Sequence, residues 1–393
     1  MTISQLPLSY CTNLHPGRSL EQVEDGLNRI TSAVQDALAQ PIAAGLWLAQ
    51  SVVQELLQTP GAVVRFRDRL SERGLACYTL NAFPFGDFHR ERVKQDVYQP
   101  DWTDRRRLQY TLDCARVLAA LLPEGEDGSL STLPLAFAPT AGAMARRRSA
   151  EQLLQAAVRL RQLFEQTGRR IRLAIEPEPF CLLERTEQVL DFFEHTLWPQ
   201  AAEADRLETV TDHIGLCFDV CHQAVEFEDV ERAIAELNRT GIRINKVHIT
   251  CALRLPEPGR REKARQALAE YVEPRYLHQT TGRLPNGRIL RAVDLTEDLV
   301  LRPDPVWREA TEWRVHFHVP VDAEHLGPLQ TTRPDLQQAL SAVACLDYAP
   351  HLEVETYAWS VLPLDTLDEL VQGLTREMQA TFTMLARHDS VSH

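Results

Sequence analysis

The sequence predicts an α/β protein, a (β/α)8 TIM barrel with long βα-loop insertions at its C-terminal face. Apolar strand-like segments alternate with helical patterns of ten or more residues almost to the end of the chain. This alternation is typical of βαβ units and a parallel sheet, and eight such units favour a closed barrel over an open sheet. Several strand-like segments end at a carboxylate or a histidine, the position at which TIM barrels carry their active sites.

Eight segments have the composition of strands that are buried on both faces, because they are short and mostly apolar. In chain order they are residues 8–14, 43–49, 75–81, 128–133, 171–176, 214–219, 243–249 and 350–356. Helical patterns lie between them at residues 20–38, 50–73, 103–122, 148–168, 184–198, 226–239 and 366–388, with weaker ones at 261–271 and 334–345.

Two segments are longer than a minimal barrel requires. Residues 82–102 form an aromatic-rich loop after the third strand, and residues 252–312 form an insertion before the last strand. The insertion contains a predicted hairpin that turns at residues 285–287, Pro-Asn-Gly, and a strand-like run follows at 313–321. Such loops either shape substrate specificity or serve as decorations and dimer contacts. Because no linker or repeat divides the chain, residues 1–393 are predicted to form one domain.

The composition argues against several classes of function. With 42 basic and 55 acidic residues the formal charge is −13, which makes the chain a poor partner for nucleic acid or an anionic membrane. No apolar run is long enough for a transmembrane helix, and the N-terminus lacks the basic start and apolar core of a signal peptide. Eight scattered cysteines suit reduced thiols, so we expect a cytoplasmic protein with no membrane insertion.

The strand ends carry a set of side chains that suits a metal ion. The candidate ligands are Glu176, Asp219, His222, His248 and Glu355. Strand side chains alternate between faces, which directs the carboxylates into the mouth of the barrel. Converging carboxylates would repel one another unless a cation is bound. Carboxylates with one or two imidazoles suit Mn, Zn, Fe or Co, so a divalent metal ion is the predicted cofactor.

Two pairs of glutamates leave the ligand assignment open. Glu176 completes its strand, whereas Glu178 lies where the loop begins. Glu353 and Glu355 face the same way, and Glu355 lies one layer nearer the mouth, about 6–7 Å at the strand rise. We favour Glu176 and Glu355 as ligands, with Glu353 as a deeper partner of an inward-facing Arg172.

Two further groups of residues are candidates for substrate binding. His316 and His318 share one face of the run WRVHFHVPV and are interpreted as a second metal site or a substrate site, with a packed polar strand as the alternative. Polar and aromatic residues at the ends of the first and third strands suit a small hydroxylated or cyclic molecule. These candidates are Asn13, His15, Asn81, Phe83 and His89.

The segments IEPEP, FDVCH, KVHIT and EVETY resemble those of the sugar phosphate isomerase/epimerase and endonuclease IV superfamily, the xylose isomerase-like TIM barrels. FDVCH is similar to that group's DTCH segment and VETY to its LETP segment. The resemblance implies that Glu176, Asp219, His248 and Glu355 are the central metal ligands. It implies that His222 binds a second metal or orients the site by hydrogen bonding. The chain lacks obvious basic DNA-binding loops, so DNA repair is not expected.

A closer resemblance is to the EboE metabolite traffic proteins, through the segments SYCTNLHPG, NAFPFGDFH, VKQDVYQPDW, GSLST, EPEP, DVCHQAVEFED and HFHVPV. These segments extend from one end of the chain to the other. The resemblance implies a gene cluster that moves a prenylated or indolic secondary metabolite toward the periplasm, with other proteins of that cluster as partners. It implies no particular reaction.

Three functions follow from these observations. The favoured one is a metal-dependent sugar isomerase or epimerase-like enzyme for a small metabolite, with Glu176 and Glu355 as the catalytic base and acid. The second is a non-catalytic, metal-containing metabolite-binding protein. The third is a multi-metal phosphoesterase, which requires that His222, His316 and His318 all bind metal.

Overall fold

The computed structural model describes residues 4–38, 40–360 and 366–389, and it contains the predicted barrel. Eight parallel strands close in the order β1-β14-β7-β6-β5-β4-β3-β2. In chain order the strands are β1 (Ser9–Cys11), β2 (Ala43–Trp47), β3 (Thr79–Asn81), β4 (Gly128–Thr132), β5 (Ile171–Ile175), β6 (Ile214–Asp219), β7 (Ile244–Ile249), β8 (Cys251–Pro256), β9 (Thr280–Arg283), β10 (Ile289–Ala292), β11 (Glu312–Val319), β12 (His325–Leu326), β13 (Leu329–Thr331) and β14 (His351–Val354).

Helices surround the barrel and fill the connections. They are α1 (Leu20–Gly26), α2 (Ser32–Leu38), α3 (Gln50–Gln58), α4 (Ala62–Glu72), α5 (Arg105–Leu121), α6 (Ala145–Thr167), α7 (Thr186–Phe192), α8 (Trp198–Glu203), α9 (Leu207–His213), α10 (Val220–Val225), α11 (Val230–Thr240), α12 (Glu262–Ala269), α13 (Glu297–Leu301), α14 (Pro305–Arg308), α15 (Arg333–Val343) and α16 (Leu367–Asp389). A π-helical turn, Leu27–Thr31, joins α1 to α2, and a second, Phe193–Leu197, joins α7 to α8.

Each of the eight predicted barrel strands contains an observed one, so the fold-class prediction is confirmed. The barrel strands are three to six residues long, shorter than most predicted segments, because the flanking apolar residues belong to buried turns. The helices α9 and α10 were not predicted. Both are short. The helix α9 has two buried residues, whereas every residue of α10 is buried, and α10 begins directly after the last residue of β6, so its sequence resembles a continuation of the strand.

The predicted insertion is part of a second sheet of six antiparallel strands, in the order β10-β9-β11-β8-β13-β12. The hairpin prediction is confirmed, because β9 and β10 pair around the turn that contains Gly287. The second sheet extends beyond residue 312, the predicted end of the insertion, since β11 and β13 both pair with β8. A single residue, Thr250, separates β7 from β8, so the second sheet grows directly out of the barrel mouth.

The barrel interior holds a buried ion pair below the mouth. Lys246 Nζ lies 2.5 Å from Glu353 Oε2, and both side chains are 0% exposed. A Cβ atom at Gly45 would overlap Glu353 Oε1, so this position of β2 has room only for glycine. The predicted partnership of Glu353 with Arg172 is wrong. Arg172 pairs with Asp127 at 2.6 Å, because it lies near the start of β5, at the opposite end of the barrel.

All eight cysteines are free thiols, and seven of them are buried. Among the described helices, none combines the length and the apolar composition that crossing a membrane requires.

Candidate metal centre

Four side chains from adjacent strands meet at the C-terminal mouth of the barrel. Glu176 follows β5, Asp219 ends β6, His248 lies in β7 and Glu355 follows β14. One potential ligand atom from each residue lies within 4.8 Å of all the others, and all four residues are buried. Because β5, β6, β7 and β14 are neighbours in the barrel, parallel pairing brings these strand ends together.

His248 Nδ1 is the centre of this cluster. It lies 3.0 Å from Glu176 Oε1, 3.4 Å from Asp219 Oδ2 and 3.1 Å from Glu355 Oε2. One imidazole nitrogen cannot hydrogen-bond well to three carboxylates at once. A divalent cation that displaces the Nδ1 proton would be bound by three carboxylate oxygens and one nitrogen, a donor set that Mn, Zn, Fe and Co accept.

Two oxygen atoms of the cluster have unused hydrogen-bonding capacity. Glu176 Oε2 and Asp219 Oδ2 are buried and have no hydrogen-bond partner among the described residues. The other oxygen of Asp219 accepts from the backbone N–H of His222 at 3.0 Å and from Thr250 Oγ1 at 2.8 Å. Buried carboxylate oxygens without partners are costly, and a metal ion satisfies them. The residues of the cluster therefore fit a divalent metal.

A second layer of contacts orients the ligands. His248 Nε2 lies 3.1 Å from Glu353 Oε2, so the deeper glutamate accepts its N–H and leaves Nδ1 facing the mouth. Glu355 Oε1 accepts hydrogen bonds from Asn13 Nδ2 at 2.7 Å and Asn81 Nδ2 at 2.8 Å. Metal-ligating histidines commonly have such a carboxylate partner, and its loss weakens metal binding by about 10–100-fold.

The two candidate catalytic glutamates have different acidities in the metal-free protein. Burial raises the pKa of Glu176 to about 7, although His248 opposes this shift. Burial would also raise the pKa of Glu355, but contacts with His248 outweigh it and lower the pKa to about 2. Pairs of carboxyl groups with separated pKa values are typical of acid–base sites.

The geometry separates the two ambiguous pairs of glutamates. Glu176 and Glu355 contact His248 Nδ1, whereas Glu353 lies beneath the ring. Glu178 accepts a hydrogen bond from Tyr98 OH at 2.7 Å, and its Oε1 lies 3.6 Å from His316 Nδ1. Burial raises the pKa of Glu178 well above its usual value, although the hydrogen bond from Tyr98 opposes this shift.

The remaining predicted histidines form a separate group beside the cluster. His222 Nε2 lies 3.1 Å from His316 Nε2, which lies 3.2 Å from His318 Nε2. His318 Nε2 is 3.9 Å from Asp219 Oδ2. The strand β11, which crosses the mouth as part of the second sheet, carries His316 and His318.

A small cavity opens above the cluster. Its volume is about 70 Å³, which accommodates a few water molecules. Three of the predicted substrate-contact residues, Asn13, Asn81 and Phe83, lie in its lining. His15 and His89 lie outside the lining. His15 is within 3.1 Å of Tyr10 OH, and the His89 ring packs against Trp47 with centroids 5.6 Å apart.

The cover of the cavity comes from the two long segments of the sequence. Phe88 from the first packs on Tyr276 from the second, with ring centroids 4.7 Å apart. Lys94 Nζ donates to the Tyr276 carbonyl and to Asp294, at 2.6 Å each. Small-molecule sites commonly enclose about 300–1,000 Å³, so a sugar-sized ligand requires this cover to move outward.

Several residues of the lining or its support were not identified from the sequence, among them Tyr98, Tyr357 and Gln279. Tyr98 and Tyr357 line the cavity, and Gln279 contacts Tyr98 OH at 2.8 Å. Tyr98 belongs to the segment VKQDVYQPDW and Tyr357 follows Glu355 by two residues, so both positions could have been identified as site candidates from the sequence. Gln279 lies in the inserted hairpin region, and nothing in its local sequence indicates a position at the barrel mouth.

No family model and no curated protein matches the sequence of this chain. Among solved structures, an L-ribulose 3-epimerase is similar over 98% of this chain and 98% of its own, with a TM-score of 0.50 and 14% sequence identity. A D-tagatose 3-epimerase-like protein is similar over 99% of this chain and 100% of its own, with a TM-score of 0.50 and 10% identity. At this identity the likeness shows the fold alone, which is a TIM barrel.

Proposed function

We propose that this protein is a metal-dependent isomerase or epimerase for a small polyhydroxylated carbonyl compound. The observation that carries the proposal is the arrangement of Glu176 and Glu355 around His248 Nδ1, at 3.0 and 3.1 Å. Together with Asp219 they form a carboxylate-rich metal site, and the same two glutamates are the acid–base pair. The ketose-epimerase names of two proteins with this fold support a ketose as the substrate class.

The reaction needs a proton removed from carbon and returned to it. A bound divalent ion supplies Lewis acidity, which makes a C–H bond next to a carbonyl more acidic. Glu176, with a pKa of about 7 in the metal-free protein, suits proton transfer near neutral pH. Glu355 is held in place by Asn13 and Asn81 and serves as the partner group. The aromatic cover excludes water, so the proton returns to the substrate from a side chain.

The direct test is hydrogen exchange on a panel of ketoses. Protein loaded with Mn²⁺ or Co²⁺ is incubated with pentuloses and hexuloses in D₂O, and deuterium at the carbon next to the carbonyl is followed by NMR. We expect deuterium incorporation and a second stereoisomer for at least one sugar. Heat-inactivated protein is the control. A panel with no exchange above that control, from protein shown to hold metal, would contradict the proposal.

Metal content is a separate prediction. Protein purified without chelator or added metal should contain Mn, Zn, Fe or Co in near-stoichiometric amount, measured by elemental analysis, because the cluster combines three carboxylates with one imidazole. Dialysis against a chelator should remove the metal and leave a folded barrel, since the apolar core does not contain the ligands. Protein that is free of metal and binds none on titration would exclude the site.

Asp219→Asn is expected to lower metal affinity by at least about 10-fold, measured by titration with Co²⁺ or Mn²⁺. The amide oxygen can still accept from the N–H of His222 and cap α10, so the fold should remain. The uncapped variant Asp219→Ala is the comparison, and it should lose about 1 kcal/mol more in stability. Equal metal affinity in folded Asp219→Asn and in the unaltered protein would remove Asp219 from the site.

A non-catalytic role in metabolite traffic, of the EboE kind, is the second candidate. One observation favours it: segments quoted for that resemblance contribute side chains to one cavity, among them Asn13, Phe83, Tyr98, Glu178 and His316. In that role the protein would hold a metabolite for other proteins of its gene cluster. The free cysteines suit a reducing compartment, which supports a cytoplasmic location.

The convergence of His222, His316 and His318 favours the third candidate, a multi-metal phosphoesterase, and phosphate esters belong in the same substrate panel.

A further inference from the structure

Two adjoining cavities lie at the N-terminal end of the barrel, opposite the metal centre. Their volumes are about 520 Å³ and 290 Å³, and Ser4, Leu6 and His351 line both of them. Active sites of TIM barrels lie at the other end, and small-molecule sites commonly enclose about 300–1,000 Å³. The two cavities therefore have room for a small ligand that is not the substrate of the proposed reaction.

The larger cavity contains an arginine without an acidic partner. Two arginines and two carboxylates line it, and one ion pair forms among them, between Arg172 and Asp127 at 2.6 Å. Arg243 instead stacks on Tyr348, with its guanidinium carbon 3.9 Å from the ring centroid, and its buried Nε has no hydrogen-bond partner among the described residues. Burial and the nearby Arg172 lower the pKa of Arg243, because both disfavour its charge. An anion beside Arg243 would offset both effects.

An unsatisfied hydrogen-bond acceptor lines the same cavity. Asn245 is 6% exposed, and its Nδ2 donates to the Leu173 carbonyl at 2.9 Å. Its Oδ1 is buried and has no partner in the described part of the chain. The barrel makes room for this side chain at Gly215 of β6, where a Cβ atom would lie 2.6 Å from Asn245 Nδ2. Because a buried amide oxygen without a partner is costly, a ligand that donates a hydrogen bond here is favoured.

His351, which lines both cavities, supplies a second acceptor. Its Nδ1 lies 2.8 Å from Ser129 Oγ, which donates its own hydrogen to Thr79 Oγ1 at 2.9 Å. Thr79 in turn donates to the Ser129 carbonyl, so Ser129 Oγ accepts from His351 and Nδ1 carries the proton. Burial, with Lys246 nearby, lowers the pKa of His351 to about 4. The ring is therefore neutral near pH 7 and has a lone pair on Nε2.

The smaller cavity is mainly apolar. Leu352 of β14 lines it together with Phe382 and Leu385 of α16, and Tyr78 adds an aromatic ring. Phe382 and Leu385 are half-buried, so a ligand that covers them would remove apolar surface from water. The two cavities together thus offer a cation and an apolar surface side by side.

We propose that the N-terminal end of the barrel binds a small organic acid, whose carboxylate or phosphate contacts Arg243 and whose apolar body occupies the smaller cavity. Guanidinium groups bind both kinds of acid through paired hydrogen bonds. A hydroxyl or amino group of the ligand would donate to Asn245 Oδ1 or to His351 Nε2. The site does not depend on the isomerase reaction, because neither lining includes a residue of the cluster around His248.

The first test is calorimetric titration of the unaltered protein with naphthoate, which combines an acid with an apolar body. Naphthoate should bind at least about 10-fold more tightly than neutral naphthalenemethanol and than acetate, since it alone uses both cavities. Its affinity should be the same before and after chelator treatment, which excludes binding to a metal at the mouth. Naphthyl phosphate shows which acid group the site prefers. If neither acid binds more tightly than the alcohol, or if chelator treatment abolishes binding, the proposal is wrong.

Variants then locate the bound acid. Arg243→Met should lower the affinity for naphthoate by about 10-fold or more. Arg170→Met is the matched control, because Arg170 is also half-buried, lies over the ring of Phe164 at 4.9 Å and has an unpartnered Nε among the described residues, yet lines neither cavity. Its affinity should equal that of the unaltered protein.

Leu385→Glu tests the apolar half on a half-buried face of α16, and it serves as the second variant if Arg243→Met does not fold. The new carboxylate should weaken naphthoate binding by repelling the acid and by making the smaller cavity less apolar. Unchanged affinity in the folded variants Arg243→Met and Leu385→Glu, or equal losses in Arg243→Met and Arg170→Met, would overturn the site.

Discussion

Replacing Glu353 with alanine is expected to lower the free energy of unfolding by about 3–5 kcal/mol, because it leaves the buried Lys246 ammonium without a carboxylate. Lys246 and Glu353 are fully buried and 2.5 Å apart. Among the described residues, the other polar contact of Lys246 Nζ is Ser131 Oγ at 3.3 Å, which is a weak replacement. Urea unfolding of the metal-free protein at neutral pH measures the change.

The same substitution should weaken metal binding, for a separate reason. Glu353 Oε2 accepts the Nε2 hydrogen of His248 and so holds Nδ1 toward the metal site. Losing such a partner lowers metal affinity by about 10–100-fold. The double variant Lys246→Met/Glu353→Leu separates the two effects. It should recover most of the stability, since apolar side chains of similar size can replace a buried ion pair, while metal affinity stays low. A stability loss below about 1 kcal/mol in Glu353→Ala would contradict this account of the barrel interior.

The barrel was predictable because its signals are local. The strand β5 has five residues, of which four are buried and apolar, and Glu176 follows it; β6 likewise ends at a carboxylate, and Glu355 follows β14. Parallel pairing then brings the strand ends to one edge, so the cluster around His248 follows from the strand order. The Lys246–Glu353 ion pair was not predicted, because nothing in the sequence around Lys246 distinguishes a buried lysine from an exposed one.

The strand order of the second sheet could not be predicted from local sequence patterns. The hairpin of β9 and β10 was identified from its turn, but the pairing of β11 with β8 joins residues about 60 positions apart. Only that pairing carries His316 across the mouth to His222. Gln279, which orients His316, lies just before β9 and has no distinguishing neighbours in the sequence. The positions of His316 and Gln279 at the barrel mouth therefore depend on long-range strand pairing, which local sequence patterns do not reveal.

Glu176→Gln and Glu355→Gln are each expected to reduce turnover by about 10²-fold or more, the usual contribution of a general acid or base. Glutamine keeps the shape and one ligand oxygen but cannot take up a proton. In Glu355→Gln the remaining oxygen can still accept from Asn13 and Asn81, so substrate binding should persist. The rate of deuterium exchange on the best ketose of the panel, per metal-loaded protein, is the measurement.

These variants distinguish a catalytic function from a non-catalytic, metabolite-binding function. Glu228→Gln is the control, because Glu228 is a half-buried carboxylate that contacts Thr186 and lies outside the cavity lining. The turnover of this variant should equal that of the unaltered protein. An enzyme needs both carboxylates for proton transfer, whereas a carrier needs them only to hold metal. We therefore expect the metal-loaded double variant Glu176→Gln/Glu355→Gln to bind the metabolite and fail to exchange its proton. Full function of that double variant in cells, with metal bound, would exclude catalysis and leave the metabolite-binding role.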